Sequence, residues 1–484
     1  MTASRNREVP ALVLFRRDLR IADNRALSAA AASGKPVVAL FVLDETSKGT
    51  RAAGAASRWW LHHSLKALDR NIERLGARLV LARGATQSIV DKMIHRTGAD
   101  TILWNRRYEP AEISVDTDLK ASLRGRGIRA ESFDGCLLHE PSLLKTGAGG
   151  PYKVFTPFWR ALANGFDARD PVDPPRKLNG FAPGVDSERL DSWKLLPTKP
   201  DWAQGFGAEW TPGEDGAHES LTKFIAEALD GYGTDRDRPG VAGTSRLSPH
   251  LAHGEITPFQ IWKALRGSRV DASKTDIEIF RKEIAWREFC YHLLFHNRDL
   301  ARKNFQGRFD VFPWDSHRRN TKAWQRGLTG YPIVDAGMRQ LWRTGWMHNR
   351  VRMIAASFLI KHLMTDWREG EEWFWDTLVD ADAANNPANW QWVAGSGADA
   401  SPYFRIFNPV LQGEKFDPDG DYVRLHVPEL AKVPKRYIHR PWEAPEAVLS
   451  AAGLRLGVDY PGPIVDHASA RDRALAAYKS LQGD

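Results

Sequence analysis

The chain has 484 residues, 42% hydrophobic and 26% charged, a composition ordinary for a soluble globular protein but too long for one compact core. Its two cysteines, Cys136 and Cys290, exclude a disulfide scaffold, a cysteine-ligated zinc site and an iron–sulfur cluster. A net charge of +8 suits a polyanionic partner such as nucleic acid without demanding one, and no apolar run is long enough to span a membrane.

The polar start, Met1 to Pro10, lacks the apolar stretch of a secretory signal, so a cytoplasmic location is expected. Val9–Phe15 and Pro36–Leu43 are short β-branched apolar runs of the buried-strand type. Between them Asp23 and Asn24 can cap a helix running to Ala32, with Gly34 as its stop. Ser57–Leu75 reads as an amphipathic helix ended by Gly76. Further strands are predicted at Ala77–Leu81, Thr101–Trp104 and Ile128–Ser132, with helices near Thr86–Arg96 and Ala111–Arg124. This alternation predicts an α/β doubly wound parallel sheet over residues 1–135. No G-x-G-x-x-G follows the first strand; Phe15-Arg16-Arg17-Asp18-Leu19-Arg20 stands there instead. Its arginines read equally well as solvated loop charges.

Residues 136–215 carry Pro, Gly and Asp clusters and read as a long connector with short helical pieces such as Phe155–Ala163. From residue 216 to 484 the pattern is all-α. Helices are predicted at Ala217–Leu229, Pro258–Leu265, Asp276–His296, Lys322–Arg326, Ile333–Thr344, His348–Leu363 and Glu371–Val379.

The 19 tryptophans, most of them at or after Trp262, point to stacking on a flat ligand or on bases, or to an electron relay. Three residue sets stand out. The Gly243–Pro249 turn offers hydroxyls and backbone N–H groups to phosphate, though ordinary helix capping explains it as well. On the Asp276–His296 helix, Glu283, Trp286 and Arg287 share one face at i, i+3 and i+4. Glu288, His292 and His296 on the same helix have metal-ligand spacing, but without a second ligand cluster solvated or packed histidines are the better reading. In the third set Asn349, Arg352 and Met353 lie together on the helix beginning near His348. Asp380 can pair with Arg352 if the chain doubles back, and Asp382 and Asn386 then fall on a loop. Trp390 and Trp392, two apart, would face opposite sides of an extended segment.

At these residues the chain resembles the DNA photolyase/cryptochrome family. The likeness runs through Phe15–Arg20, Tyr152–Phe158, Thr244–Ser248, Trp286–Phe289, Gly330–Ala336, Thr344–Met353, Asp380–Trp392 and Tyr403–Pro409. It implies an antenna domain, a connector and a helical domain holding FAD. In such proteins light drives an electron from reduced flavin to a pyrimidine dimer, which splits and returns it. The resemblance assigns flavin contacts to Tyr232, Thr244, Ser245, Leu247 and Ser248. Trp286, Arg287, Asn349, Arg352, Asp380, Asp382 and Asn386 complete them, with Asn386 facing flavin N5. Glu283, Trp286, Asn349, Met353 and Trp392 would surround the flipped dimer, an extrusion made easier by its poor stacking. Trp390, Trp367 and Trp314 match the family's electron-transfer chain, and Trp342 offers another route. Arg236 and Arg350 are candidates for DNA phosphates.

Asn349 and Met353 stand where (6-4) photolyases carry a histidine pair, which favours cyclobutane dimers. Asn386 stands where plant cryptochromes usually carry Asp, which favours repair over a blue-light receptor without repair activity, the alternative reading. The combination resembles class III photolyases. Their expected antenna is 5,10-methenyltetrahydrofolate, with a deazaflavin as the alternative, and Phe41, Asp44, Arg58 and Glu109 would line its pocket. A monomer acting on dimer-containing DNA is expected, associated with the nucleoid when bound.

Overall fold

A computed structural model describes residues 9–164, 168–181, 184–267, 272–315, 317–399 and 404–481. The start of the chain, 1–8, and Tyr403 of the last motif lie outside the described residues. Five parallel strands form one sheet: β1 (Ala11–Phe15), β2 (Val37–Leu43), β3 (Leu79–Arg83), β4 (Thr101–Asn105) and β5 (Arg129–Phe133). Their order is β3-β2-β1-β4-β5. The strands β1, β2 and β4 are buried along their whole length, and the sequences of β1 and β2 are unbroken apolar runs. Alternate residues serve two cores: Val13, Ala39 and Phe41 face one layer of helices, Leu12, Leu40 and Val42 the other. The strand predicted at Ala77–Leu81 begins two residues later, because Gly76, at φ 91°, first turns the chain out of the preceding helix.

Of the two predicted caps, Asn24 caps the Arg25–Ala32 helix by accepting from the Leu27 N–H. Asp23 does not. Its carboxylate accepts from the Val172 N–H at 3.0 Å and the Thr257 hydroxyl at 2.7 Å, tying sheet layer, connector and helical domain together.

The loop after β1 corrects the solvated-charge reading. Arg16 donates to Asp116 and to the Asn105 carbonyl, each at 3.0 Å. Arg20 is 0% exposed and donates to the carbonyls of Gly254, Asp23 and Gly135 at 2.9, 2.8 and 3.0 Å. In open parallel sheets this end of the central strands usually receives a ligand. Here the helical domain fills it: a Cβ on Gly254 would lie 2.0 Å from the Arg17 carbonyl oxygen.

The predicted helices are present with ends shifted by a few residues, and the Lys274–His296 helix is the longest. Two segments differ. The helix predicted at His348–Leu363 is α-helical over Asn349–Ser357 and then makes a π-helical turn, Phe358–His362. The stretch predicted as loop and then extended chain contains a helix, Asn385–Ala394. Asp382 accepts from the N–H groups of Ala384 and Asn385 at 2.9 and 2.7 Å. Pro387 falls in the first turn, where its missing N–H costs nothing. Trp390 and Trp392 still face different sides, because two helical residues differ by about 200°.

Glu288 and His292 hold the connector. Glu288 accepts from the N–H groups of Leu138 and His139 at 2.8 and 3.3 Å, and His292 from that of Tyr152 at 3.0 Å. Among the described residues no helix is long and apolar enough to cross a membrane.

Candidate functional site

A cavity of about 500 Å³ opens within the helical domain. Three helices, Lys274–His296, Asn349–Ser357 and Asn385–Ala394, contribute most of its polar wall. From the first come Glu283, Trp286 and Arg287, the three residues predicted to share a face. Trp286 is held flat against Phe155 of the connector, with ring centroids 3.6 Å apart and planes 8° apart. Arg287 donates to the Cys136 carbonyl at 2.8 Å and lies over the Tyr291 ring at 4.9 Å.

The second helix presents Asn349, Arg350, Arg352 and Met353. Arg352 meets Asp380 at 2.7 Å, the pairing expected if the chain doubles back. The same Asp380 oxygen accepts from the Ser248 hydroxyl at 2.7 Å. Its other oxygen, Oδ1, is buried without a partner. Burial pushes the Asp382 carboxyl up, but Arg287, the Tyr291 hydroxyl at 2.6 Å and Asn385 outweigh it and hold the pKa below the usual range. Asp382 is therefore an ionised acceptor at neutral pH. Asn386 donates through Nδ2 to the Glu371 carbonyl at 3.0 Å and to Glu371 Oε1 at 2.9 Å.

Tyr232, Ser245, Leu247, Ser248, Trp390 and Trp392 also line the cavity, as do Arg236 and Arg350. Thr244, next to Ser245, does not. Arg236 pairs with Glu283, and Arg350 pairs with Asp237 at 2.7 Å while lying 4.4 Å over the Phe416 ring. Trp390 packs edge-on against Phe374 at 4.9 Å and Trp324 at 6.3 Å. Trp367 and Trp314 stand away from the cavity but in contact with the same apolar cluster as Trp390. Trp342 is 52% exposed and stacks on Trp373 at 6.1 Å and 6°.

The four residues expected around an antenna do not line this cavity, and each has a partner elsewhere. Phe41 packs in the sheet core 6.0 Å from the Trp193 ring. Asp44 accepts bonds from Ser47 and Thr86, which lower its pKa to about 2 against the opposing effect of burial. Arg58 donates to the Ala53 carbonyl at 3.0 Å and pairs with Glu45. Glu109 meets Arg17 at 2.7 Å, and burial nevertheless pushes its carboxyl up to about 7.

Sequence reasoning missed the apolar wall, including Leu251, Ile284, Phe374 and Leu378. It also missed Asn385, Asn389 and the Glu371 that holds Asn386. Asn385 and Asn389 were findable, since they lie one helical turn apart beside Asn386.

The family profile described as "DNA photolyase" matches residues 11–176, and the one described as "FAD binding domain of DNA photolyase" matches residues 280–480. A deoxyribodipyrimidine photo-lyase from Agrobacterium fabrum is 58% identical over 98% of both chains. The chain belongs to the DNA photolyase family. Within that family, a crystallised bacterial class III photolyase from Agrobacterium tumefaciens superposes with a TM-score of 0.96, at 57% identity over 100% of both chains. Cryptochrome-1 from Arabidopsis thaliana is 39% identical over 95% of this chain and 69% of its own length. The parallel-sheet domain followed by a helical FAD-binding domain is thus the photolyase architecture.

Proposed function

We propose that this photolyase repairs cyclobutane pyrimidine dimers in DNA, with FAD and the flipped dimer sharing the central cavity. One observation carries the reading. Glu283, Trp286, Asn349, Met353 and Trp392 line the same cavity as Arg352, Asp380, Asp382, Asn386 and Trp390. Its polar lining fits FAD: the guanidinium groups of Arg287 and Arg352, an ionised carboxylate at Asp382 and an unpartnered buried oxygen on Asp380 suit a ligand that is anionic at one end and carries N–H groups at the other.

FAD, when bound, supplies the light-absorbing electron donor. The chain's own residues do the rest. Arg352 and Asp380 brace each other, and Asp382, ionised, would accept from a ring N–H of the bound flavin. Trp286, backed by Phe155, and Trp392 offer flat faces to the extruded bases. Glu283 and Asn349 address the polar base edges, and Met353 supplies an adaptable apolar contact. Arg236 and Arg350 contact the flanking phosphates, exchanging or sharing their present partners Glu283 and Asp237. Trp390, Trp367 and Trp314 carry electrons to the cavity from the surface. For the antenna our reading remains 5,10-methenyltetrahydrofolate, with a deazaflavin as the alternative, on the resemblance to class III; mass spectrometry of the released chromophores decides between them.

The test is repair itself. Purified, photoreduced protein illuminated with dimer-containing single-stranded and duplex DNA should restore intact pyrimidines. Absence of repair on both substrates, with light-dependent protein association in its place, would establish the receptor reading.

A further inference from the structure

The α/β domain touches a residue directly behind the cavity wall. Arg51, before the Ala55–Arg74 helix, meets both carboxylate oxygens of Glu371 at 2.8 and 2.9 Å. Glu371 is 2% exposed. Its Oε1 also accepts from Asn386, whose Nδ2 bonds the Glu371 carbonyl as well. A carboxamide has two N–H groups, and both are engaged here. The Oδ1 is what Asn386 has left to present to the cavity.

The arginine is itself held. Its guanidinium lies 4.0 Å over the Trp375 ring, and the Trp375 indole donates to the Ala52 carbonyl at 2.9 Å. Gly54 passes so close that a Cβ there would lie 2.0 Å from the Trp375 carbonyl oxygen. The Ala55 N–H donates to Asp376 at 2.9 Å.

We infer that Arg51 is a positioning residue for Asn386, and that docking of the α/β domain thereby tunes the reduction potential of the flavin. The inference rests on the reading that Asn386 faces flavin N5. An acceptor beside a ring nitrogen favours the state in which that nitrogen carries a proton. A donor favours the bare nitrogen. Without Arg51 the buried Glu371 carboxylate loses its cation and must take up a proton or turn towards water. Either change weakens the Oε1 bond and leaves the Asn386 amide held by the Glu371 carbonyl alone, freer to turn its NH₂ group to the cavity.

The experiment uses the holoenzyme and reads the flavin's midpoint potential by spectroelectrochemistry and the rate at which the reduced protein reoxidises in air in the dark. Arg51→Ala should shift the balance towards oxidised flavin by about tenfold, the scale of one buried hydrogen bond. Arg51→Lys should restore part of it. In a Glu371→Gln background, removing Arg51 should add nothing. Asp376→Ala breaks a neighbouring docking bond with no route to Asn386 and should leave the potential at the wild-type value. A wild-type potential in Arg51→Ala, an additive double mutant, or an equal shift in Asp376→Ala overturns the inference. Asn386→Asp separates the two levels. If it alters the potential while Arg51→Ala does not, only the role of Arg51 fails; if it also changes nothing, the N5 reading fails.

Discussion

Two stretches of this chain look alike on paper. Both Phe15–Arg20 and the segment from Trp346 to Trp392 mix arginines, aspartates and aromatic residues. In the first, the protein itself takes up the charge. The terminal nitrogens of Arg16 and Arg20 end on Asp116 and on four backbone carbonyls, and only their Nε atoms are left, walled in. In the second, capacity is left over and faces one space. Asp380 keeps an unpartnered oxygen, Asn386 keeps its Oδ1, and Asn349 and Met353 line the cavity. A charged motif therefore points to a ligand through the bonding capacity that folding leaves over; its composition alone does not distinguish a clamp from a site.

The sharpest break of this comparison is Arg20→Ala. It strips a fully buried cation from three carbonyls on three different segments, and should cost about 3–5 kcal/mol of folding stability. Urea unfolding followed by tryptophan fluorescence measures it. A midpoint like that of the wild type would return Arg20 to the class of solvated charges.

Trp286→Ala tests the opposite side. The ring lines the cavity and is backed by one connector residue, Phe155. Its loss should weaken binding of dimer-containing DNA by about 1–3 kcal/mol, the worth of stacking one base, and lower folding stability by less than Arg20→Ala does. Titration of labelled oligonucleotides reads the affinity. Unchanged affinity would make Trp286 a packing residue like those of the first stretch.

What the sequence made legible follows the same physics. Continuous apolar runs identify β1 and β2, because strands covered on both faces admit little else. The spacing of Glu283, Trp286 and Arg287 put them on one face, and the structure has them side by side on the cavity wall. The Asn385–Ala394 helix was hidden, because a doubled asparagine followed by proline reads as a turn unless Asp382 is known to cap it. The apolar wall was hidden for a different reason. Leucine and phenylalanine at helical spacing look the same whether they face a core or a ligand. Nothing in the sequence links Arg51 to Glu371, which stand 320 residues apart.

The smallest effect expected is a change of slope. His348 caps the Asn349–Ser357 helix, its Nδ1 accepting from the Arg350 N–H at 3.2 Å. Burial pushes its pKa down to about 4; Asp237 opposes this, while Arg350, Arg352 and Arg236 add to it. The unfolded chain takes up this proton near pH 6.5, but the folded chain does not until about pH 4. Stability from the neutral ring is thus complete above pH 6.5 and is lost as the pH falls through 4. His253 and His292, each also lowered to about 4 chiefly by burial, act in the same direction. His348→Asn keeps a capping acceptor and removes one titrating ring, so stability at pH 7 should stay within about 1 kcal/mol of the wild type. Between pH 6.5 and 4 its decline should be shallower by the linkage of one proton, read from urea midpoints across that window. Parallel curves would mean that the ring titrates alike in the folded and unfolded chains, and that burial does not hold it neutral.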